Sequence, residues 1–435
     1  MKVLFIDVDG VCVDMAVRSQ WAGHQCKVFI SPQKCDNIGK GLVTRVNDWE
    51  AHMDWADLIV MTGVGKYMRK LDAYFAKGYP ILGTNWDAAQ LEIDRECGMD
   101  CFERADMDCL PYQSFTSLDD GIAHVKKTKG TYVSKPLHDH ADKSTSYVSS
   151  GPDDMIFMME KWKKQSKNYP FILQEKLDLI GEVGVSGWFG PGGWCGVWEE
   201  DFEHKKLMPG GIGPNTGEMG NVCKYVDDSK LAQDFLLPLT DTLHALKFVG
   251  NFAMGLLVPK HGPLHPSECT ARLGWPITFM QTHLHKQPMV EFFADLVHGK
   301  DALKVRRDHT CGVVMGIKPF PYESFAEPEL CEGYPLLNIT QEDMDHVHLG
   351  QVRAGKCLVG DKLKEQDVFV TAGCYVACVV DRGRNVLEAC DRAFERTKNI
   401  RIPNSPLYRN DIGHKLADTI SALQKKGYCE EWVNG

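Results

Sequence analysis

The chain opens on an apolar run, Val3-Leu4-Phe5-Ile6, that stops at Asp7. A short continuous apolar run of this kind predicts a strand buried on both faces, here over residues 2–8. The segment ADLIVMTG predicts a second one over 58–62, closed by a glycine turn. Between 67 and 77, Leu71, Tyr74 and Phe75 fall on one side of a helix. Residues 80–83 read as another short strand. Strands alternating with helices predict a parallel sheet joined by crossover helices.

From about 105 to 305 the texture changes. Residues 131–134, 171–174 and 183–189 are β-rich, with glycine-rich loops at 190–193 and 210–220. One long helix is predicted over 231–247, strands near 252–258 and 265–270, and a closing helix over 289–298. Beyond 306, short strands return at 310–315, 368–375 and 376–380, before a well-patterned helix at 386–398. Pro319, Pro321, Pro328 and Pro335 mark loops. The fold class is α/β, or α+β by region, in three domains: 1–104, 105–305 and 306–435.

A chain of 435 residues exceeds one ordinary core. Its formal charge of -10 provides no overall field for nucleic acid or an anionic membrane. A local basic cleft for a phosphorylated substrate stays open. No apolar stretch approaches the roughly 20 residues of a membrane span, and the opening run is too short for a signal peptide, so the expected location is cytoplasmic. Sixteen cysteines, scattered and without a CxxC pair, read as free thiols in a reducing compartment. The pairs His283/His285, His261/His265 and His138/His140 lack further ligands at zinc spacing and read as ordinary polar residues. Trp188, Phe189, Trp194 and Trp198 read as the packing of a small sheet over a nucleotide. A base-stacking platform would need a basic surround.

The densest chemical signal is Gly213-Pro-Asn-Thr-Gly-Glu-Met-Gly220. So much glycine argues against a helix or a packed strand and lets backbone N–H groups approach an anion. A long surface turn would have the same composition. His204-Lys205-Lys206 lies just upstream. In this order the two segments resemble glycinamide ribonucleotide synthetases (phosphoribosylamine–glycine ligases), a branch of the ATP-grasp ligases. Tyr408-Arg-Asn-Asp-Ile-Gly413 resembles the C-terminal signature of that family, so the likeness spans about 58–415. It implies an ATP-grasp fold with an N-terminal parallel-sheet domain and a small β-rich C-terminal domain.

The resemblance also implies roles. Lys135, in Thr131-Tyr-Val-Ser-Lys135-Pro, and Lys143 would hold ATP phosphates, with Arg95 and Lys205 near them. Gln174, Glu175 and Leu177 would belong to the strand that reads adenine, and Glu182 would bind the ribose. Glu268 and Thr270 would hold Mg²⁺, or Mn²⁺ in its place. Arg272 would face an acyl phosphate, and Asn215 and Thr216 would border the acid and amine sites. Facing cations can fix a flexible triphosphate, and hard oxygen ligands suit magnesium. Glu268, Thr270 and Arg272 alternate and would share one strand face, unless Glu268 and Arg272 form a structural ion pair.

The implied reaction is ATP-dependent amide formation through an acyl phosphate. The partners are small molecules: glycine or another amino acid, and an amine, either phosphoribosylamine or a divergent acceptor such as a modified base or nucleoside. Neither a membrane nor nucleic acid is expected, and the chain would act as a monomer or homodimer. Three departures stand out. Thr270 replaces a metal-binding asparagine of the family, and Trp275 and Ile277 replace an acidic pair. The N-terminal glycine loop that cradles a sugar phosphate is replaced by Asp7-Val-Asp9-Gly10-Val. Carboxylates there would repel a phosphate. That stretch resembles the first motif of haloacid-dehalogenase-like phosphatases, with Thr62 in the second. A phosphatase, or a non-catalytic nucleotide-binding relative, are the alternatives.

Overall fold

In a computed structural model, which describes residues 1–31, 36–137, 146–165, 167, 169–322, 328–360, 362–403 and 406–435, the apolar runs near the N-terminus lie side by side. Strands β1 (Lys2–Asp7), β2 (Gln25–Ile30), β3 (Thr44–Arg45), β4 (Leu58–Met61) and β5 (Ile81–Leu82) form a parallel sheet in the order β3-β2-β1-β4-β5. Val3 and Phe5 pack on one face with Val13, Met15, Phe292 and Phe293. Leu4 and Ile6 pack on the other with Met61, Tyr67 and Leu71. Burial on both faces is why these strands read as unbroken apolar runs. The strand order reverses at β1, so the loop after it opens on the crevice that such sheets offer to ligands.

Four strands, β6 (Tyr112–Phe115), β7 (Tyr132–Pro136), β8 (Tyr147–Val148) and β9 (Phe171–Glu175), form an antiparallel sheet in the order β6-β9-β7-β8. Phe115, Phe171 and Leu173 bury its apolar face against the helices Leu118–Thr128 and Pro152–Lys164. The chain continues through β10 (Leu179–Gly190), β11 (Gly193–Glu203), β12 (Lys206–Met208), β13 (Ile212–Asn215), β14 (Gly220–Val226), β15 (Gly250–Pro259), β16 (His265–Thr270) and β17 (His309–Gly316). It ends its strands with β18 (Glu332–Leu336), β19 (Val347–Leu349), β20 (Val352–Val359), β21 (Lys364–Ala372) and β22 (Tyr375–Gly383). Eight of these form one sheet, ordered β16-β15-β10-β11-β14-β17-β22-β19. Strands β12 and β13 make a hairpin, and β18, β21 and β20 a small sheet.

Most predicted elements fall within a few residues of the observed ones, and three readings need correction. The helix expected over 231–247 is broken into Lys230–Phe235, a 3₁₀ turn Leu237–Leu239 and Thr240–Ala245. Pro238 sits at the break, where it lacks the N–H that a continuous helix needs. The glycine-rich run is not all loop, because its first residues form β13, paired to β12. The four aromatics do not act together over a nucleotide. Trp188 packs with Phe292 and Phe293, while Phe189 packs with Trp194 and Trp194 with Trp198. Neighbours on β10 point to opposite faces, which separates them.

No disulfide joins any two described cysteines. Among the described residues, no helix is long and apolar enough to cross a membrane.

Candidate functional site

The four-stranded sheet faces one end of the eight-stranded sheet across a cavity of ≈ 720 Å³. Arg95, Lys135, Gln174, Glu175, Leu177, Glu182, Lys205, Asn215, Thr216, Glu268, Thr270 and Arg272 all line it. Lys143 lies outside the described residues. The segments that supply these side chains span 95–272, so folding converges residues that the sequence leaves far apart.

At one end the cations gather. The Lys135 ammonium, on β7, donates to Gln174 Oε1 at 3.1 Å and Ser267 Oγ at 3.4 Å. Arg95 begins the helix Arg95–Arg104, and its Nε donates to the Pro136 carbonyl at 3.2 Å, beside Lys135. Lys205 Nζ sits among Glu203 (3.1 Å), Glu268 (3.2 Å) and Glu182 (3.4 Å). Desolvation and the adjacent Arg95 charge lower the Lys135 pKa to about 8. Lys205, followed by Arg95 and Lys135, holds the Glu268 carboxyl well below the usual range against the opposing effect of burial. Glu268 is therefore a fixed anion among cations, the electrostatic setting for a bound divalent metal and a polyanion.

The motifs found separately in the sequence form one mechanical unit. Thr216 donates its backbone N–H and hydroxyl to the Lys205 carbonyl at 2.8 and 2.9 Å, fixing the loop against the basic tripeptide. Arg409 donates to the Lys206 carbonyl at 3.0 Å and pairs with Asp411, which accepts from Gly210 N–H at 2.7 Å. Gly413 N–H donates to His204 Nε2 at 3.1 Å. Burial, then the Arg409 charge, lowers the His204 pKa to about 4, so it stays a neutral acceptor. The C-terminal signature thus clamps the β12–β13 hairpin.

Two geometric expectations change. Strand β16 ends at Thr270, so Arg272 lies beyond it, although all three residues reach the cavity. Arg272 pairs with Glu92 at 3.1 Å, and Glu268 with Lys205, so no Glu268–Arg272 pair forms. Trp275 and Ile277 line the same wall, making it apolar.

Asp7 does not have the setting of a nucleophile. Its Oδ1 accepts from Asp9 N–H (2.9 Å), Gly10 N–H (2.9 Å) and the Thr62 hydroxyl (3.1 Å), and its Oδ2 from Cys12 N–H (2.7 Å). The side chain is fully buried and organises the turn after β1. Gly10, at φ +76°, supplies the left-handed residue this turn requires.

Sequence reasoning missed Glu92, Asp201, Glu203 and Glu218, all of which line the cavity. Asp201 and Glu203 have i, i+2 spacing on β11, which was a signal for one shared face. Glu218 lies within the glycine-rich run itself.

No family model matches the chain. It is 25% identical over 378 residues to the phosphoribosylamine–glycine ligase of Vibrio vulnificus, covering 79% of this chain and 80% of the relative. It is 25% identical over 444 residues to that of Salmonella typhimurium, covering 96% and 99%. The crystal structure of the phosphoribosylamine–glycine ligase from Thermotoga maritima superposes with a TM-score of 0.72 at 18% identity, over 95% of this chain and 100% of that one. The chain is thus similar to the phosphoribosylamine–glycine ligases over nearly its whole length. It has the ATP-grasp fold. The N5-carboxyaminoimidazole synthetase of Staphylococcus aureus, solved with ADP, shares that fold more distantly, with a TM-score of 0.58 at 11% identity, over 91% of this chain and 97% of that one.

Proposed function

We propose that the chain is an ATP-dependent, ADP-forming carboxylate–amine ligase that makes an amide through an acyl phosphate. One observation carries the reading: Glu268 stands in a cavity between two β-layers, ionised, beside Lys135 and Lys205. Lys135, Arg95 and Lys205 would neutralise the triphosphate, and Glu182 would meet the ribose. Glu268, with the Thr270 hydroxyl, fits Mg²⁺, which accepts hard oxygen donors and keeps several waters. The metal would supply charge neutralisation at the transferring phosphoryl group. Arg272, held by Glu92, would receive the acyl phosphate oxygen. Positioning and charge stabilisation are what this chemistry asks of a protein.

The same reading divides the chain at about 104 and 305, with strands of the third part completing the sheet of the second. The acid is an amino acid, glycine or another. The amine is phosphoribosylamine or a divergent acceptor, including a nucleoside-type amine. The test is ADP release from ATP and Mg²⁺ with a panel of amino acids, each with and without candidate amines. ADP release that depends on one acid and one amine supports the ligase. Nucleotide binding without turnover in any combination would leave a non-catalytic nucleotide-binding protein.

A further inference from the structure

The inner end of the cavity is built unlike the cationic end. Asp201 and Glu203 project from β11, and Glu218 joins them from the glycine-rich segment. Ser186, Asn221 and Asn251 add neutral polar groups to the same cavity. Asn221 Nδ2 donates to Asp201 Oδ2 at 2.8 Å, and Glu203 is held by Lys205 at 3.1 Å. Glu218 differs: it is only 7% exposed, and its Oε1 has no hydrogen-bond partner. A buried carboxylate oxygen without a donor is costly. Such a cost is retained where a ligand removes it.

The space is also made for these acids. Gly184 on β10 lies opposite Asp201, and a Cβ there would stand 2.0 Å from Asp201 Oδ1. The glycine lets the carboxylate lie over β10. The charge balance favours a cation. Lys205 divides its charge among Glu182, Glu203 and Glu268, and little remains for Asp201 and Glu218. Burial, then the neighbouring Glu203, raises the pKa of both, which a bound cation would oppose.

Resting on the ligase reading above, we propose that the acceptor enters as an alkylammonium, bound by Asp201 and Glu218, and that Glu218 removes its proton. An ammonium offers three donors and matches oxygens that each have room for one. A divalent ion would need oxygens free of the Asn221 and Lys205 donors that already occupy two of these groups. The step balances. The Glu218 carboxylate takes one proton from –NH₃⁺, leaving –NH₂. The nitrogen lone pair forms the C–N bond at the acyl phosphate carbonyl. The C–O bond to phosphate breaks, phosphate leaves with the electron pair, and the amide nitrogen releases its second excess proton to solvent.

The test pits two nucleophiles against each other. Wild type, Glu218→Gln and Asp201→Asn receive ATP, Mg²⁺ and each of the twenty amino acids, with hydroxylamine or 1,3-diaminopropane. Hydroxylamine is neutral near pH 7 and traps an acyl phosphate as a hydroxamate without needing the acidic site. The amide-to-hydroxamate ratio should fall at least tenfold in both variants. An unchanged ratio in both overturns the proposal. Absence of hydroxamate with every acid overturns the ligase reading instead. Calorimetry with 1,3-diaminopropane alone then decides the cation site. Saturable binding weakened at least tenfold by Glu218→Gln upholds the site, and no binding, or equal binding to Mg²⁺ alone at the same residues, removes it.

Discussion

The two ends of the cavity share one wall, β11 with the residues that follow it, yet they solve opposite electrostatic problems. At the outer end Lys135, Arg95 and Lys205 crowd together, and desolvation, then the Arg95 charge, lowers the Lys135 pKa to about 8. At the inner end Asp201, Glu203 and Glu218 gather, and burial, then the Glu203 charge, pushes the Asp201 and Glu218 carboxyls up. Like charges are gathered at a cost in both places, and the cost makes sense only if ligands of opposite charge arrive at both. Lys205, ringed by Glu182, Glu203 and Glu268, separates the two fields. The cavity is electrostatically bipolar, cationic around Lys135 and acidic around Asp201 and Glu218.

The comparison breaks first at Glu268. Glu268→Ala should lower kcat/KM for ADP release by about a thousandfold, near 4 kcal/mol, measured by coupled assay. An unaffected rate would mean that the outer end is not the reacting end. Lys135→Ala should weaken nucleotide binding by about a hundredfold in calorimetry, the scale of removing one partner from a desolvated charge pair. Gly184→Ala tests the inner end: a Cβ 2.0 Å from Asp201 Oδ1 should destabilise the fold by about 2 kcal/mol in urea denaturation. The same substitution should impair the amine half-reaction more than hydroxamate formation.

The smallest effect is with pH. Lys135 is charged below about 8 and loses its proton above it. A triphosphate requires the charged form, so each binding event above pH 8 must take up a proton. Nucleotide affinity should be flat below pH 8 and fall about tenfold per unit above it, and Lys135→Arg should flatten the profile. A profile that rises above pH 8 would contradict the assignment of Lys135 to phosphate.

Much of the outer end was legible in the sequence. Lys135, Gln174, Glu182 and Glu268 each sit in a segment with a family pattern, and a pattern is local information. The inner end was not legible. Asp201 becomes a site residue only because β10 places Gly184 across from it, and Glu218 only because Thr216 ties its loop to Lys205. Arg272 illustrates the middle case: its identity pointed to the cavity, but its partner, Glu92, is 180 residues away. The Asp7-Val-Asp9 stretch looked like catalytic acids and proves to be a turn built on one carboxylate, because burial depends on what lies above it.

By itself the sequence determined the alternation of buried strands and helices, the backbone freedom of the glycine-rich run and the order of charged residues along the chain. These follow from periodicity and backbone freedom, which act over a few residues. The tertiary structure alone decided which charges face each other. Coulomb energy and desolvation depend on distance through space, and the pairing of β10 with β11 and of the Thr216 loop with Lys205 brings Asp201, Glu218 and Lys205 together where spacing along the chain could not.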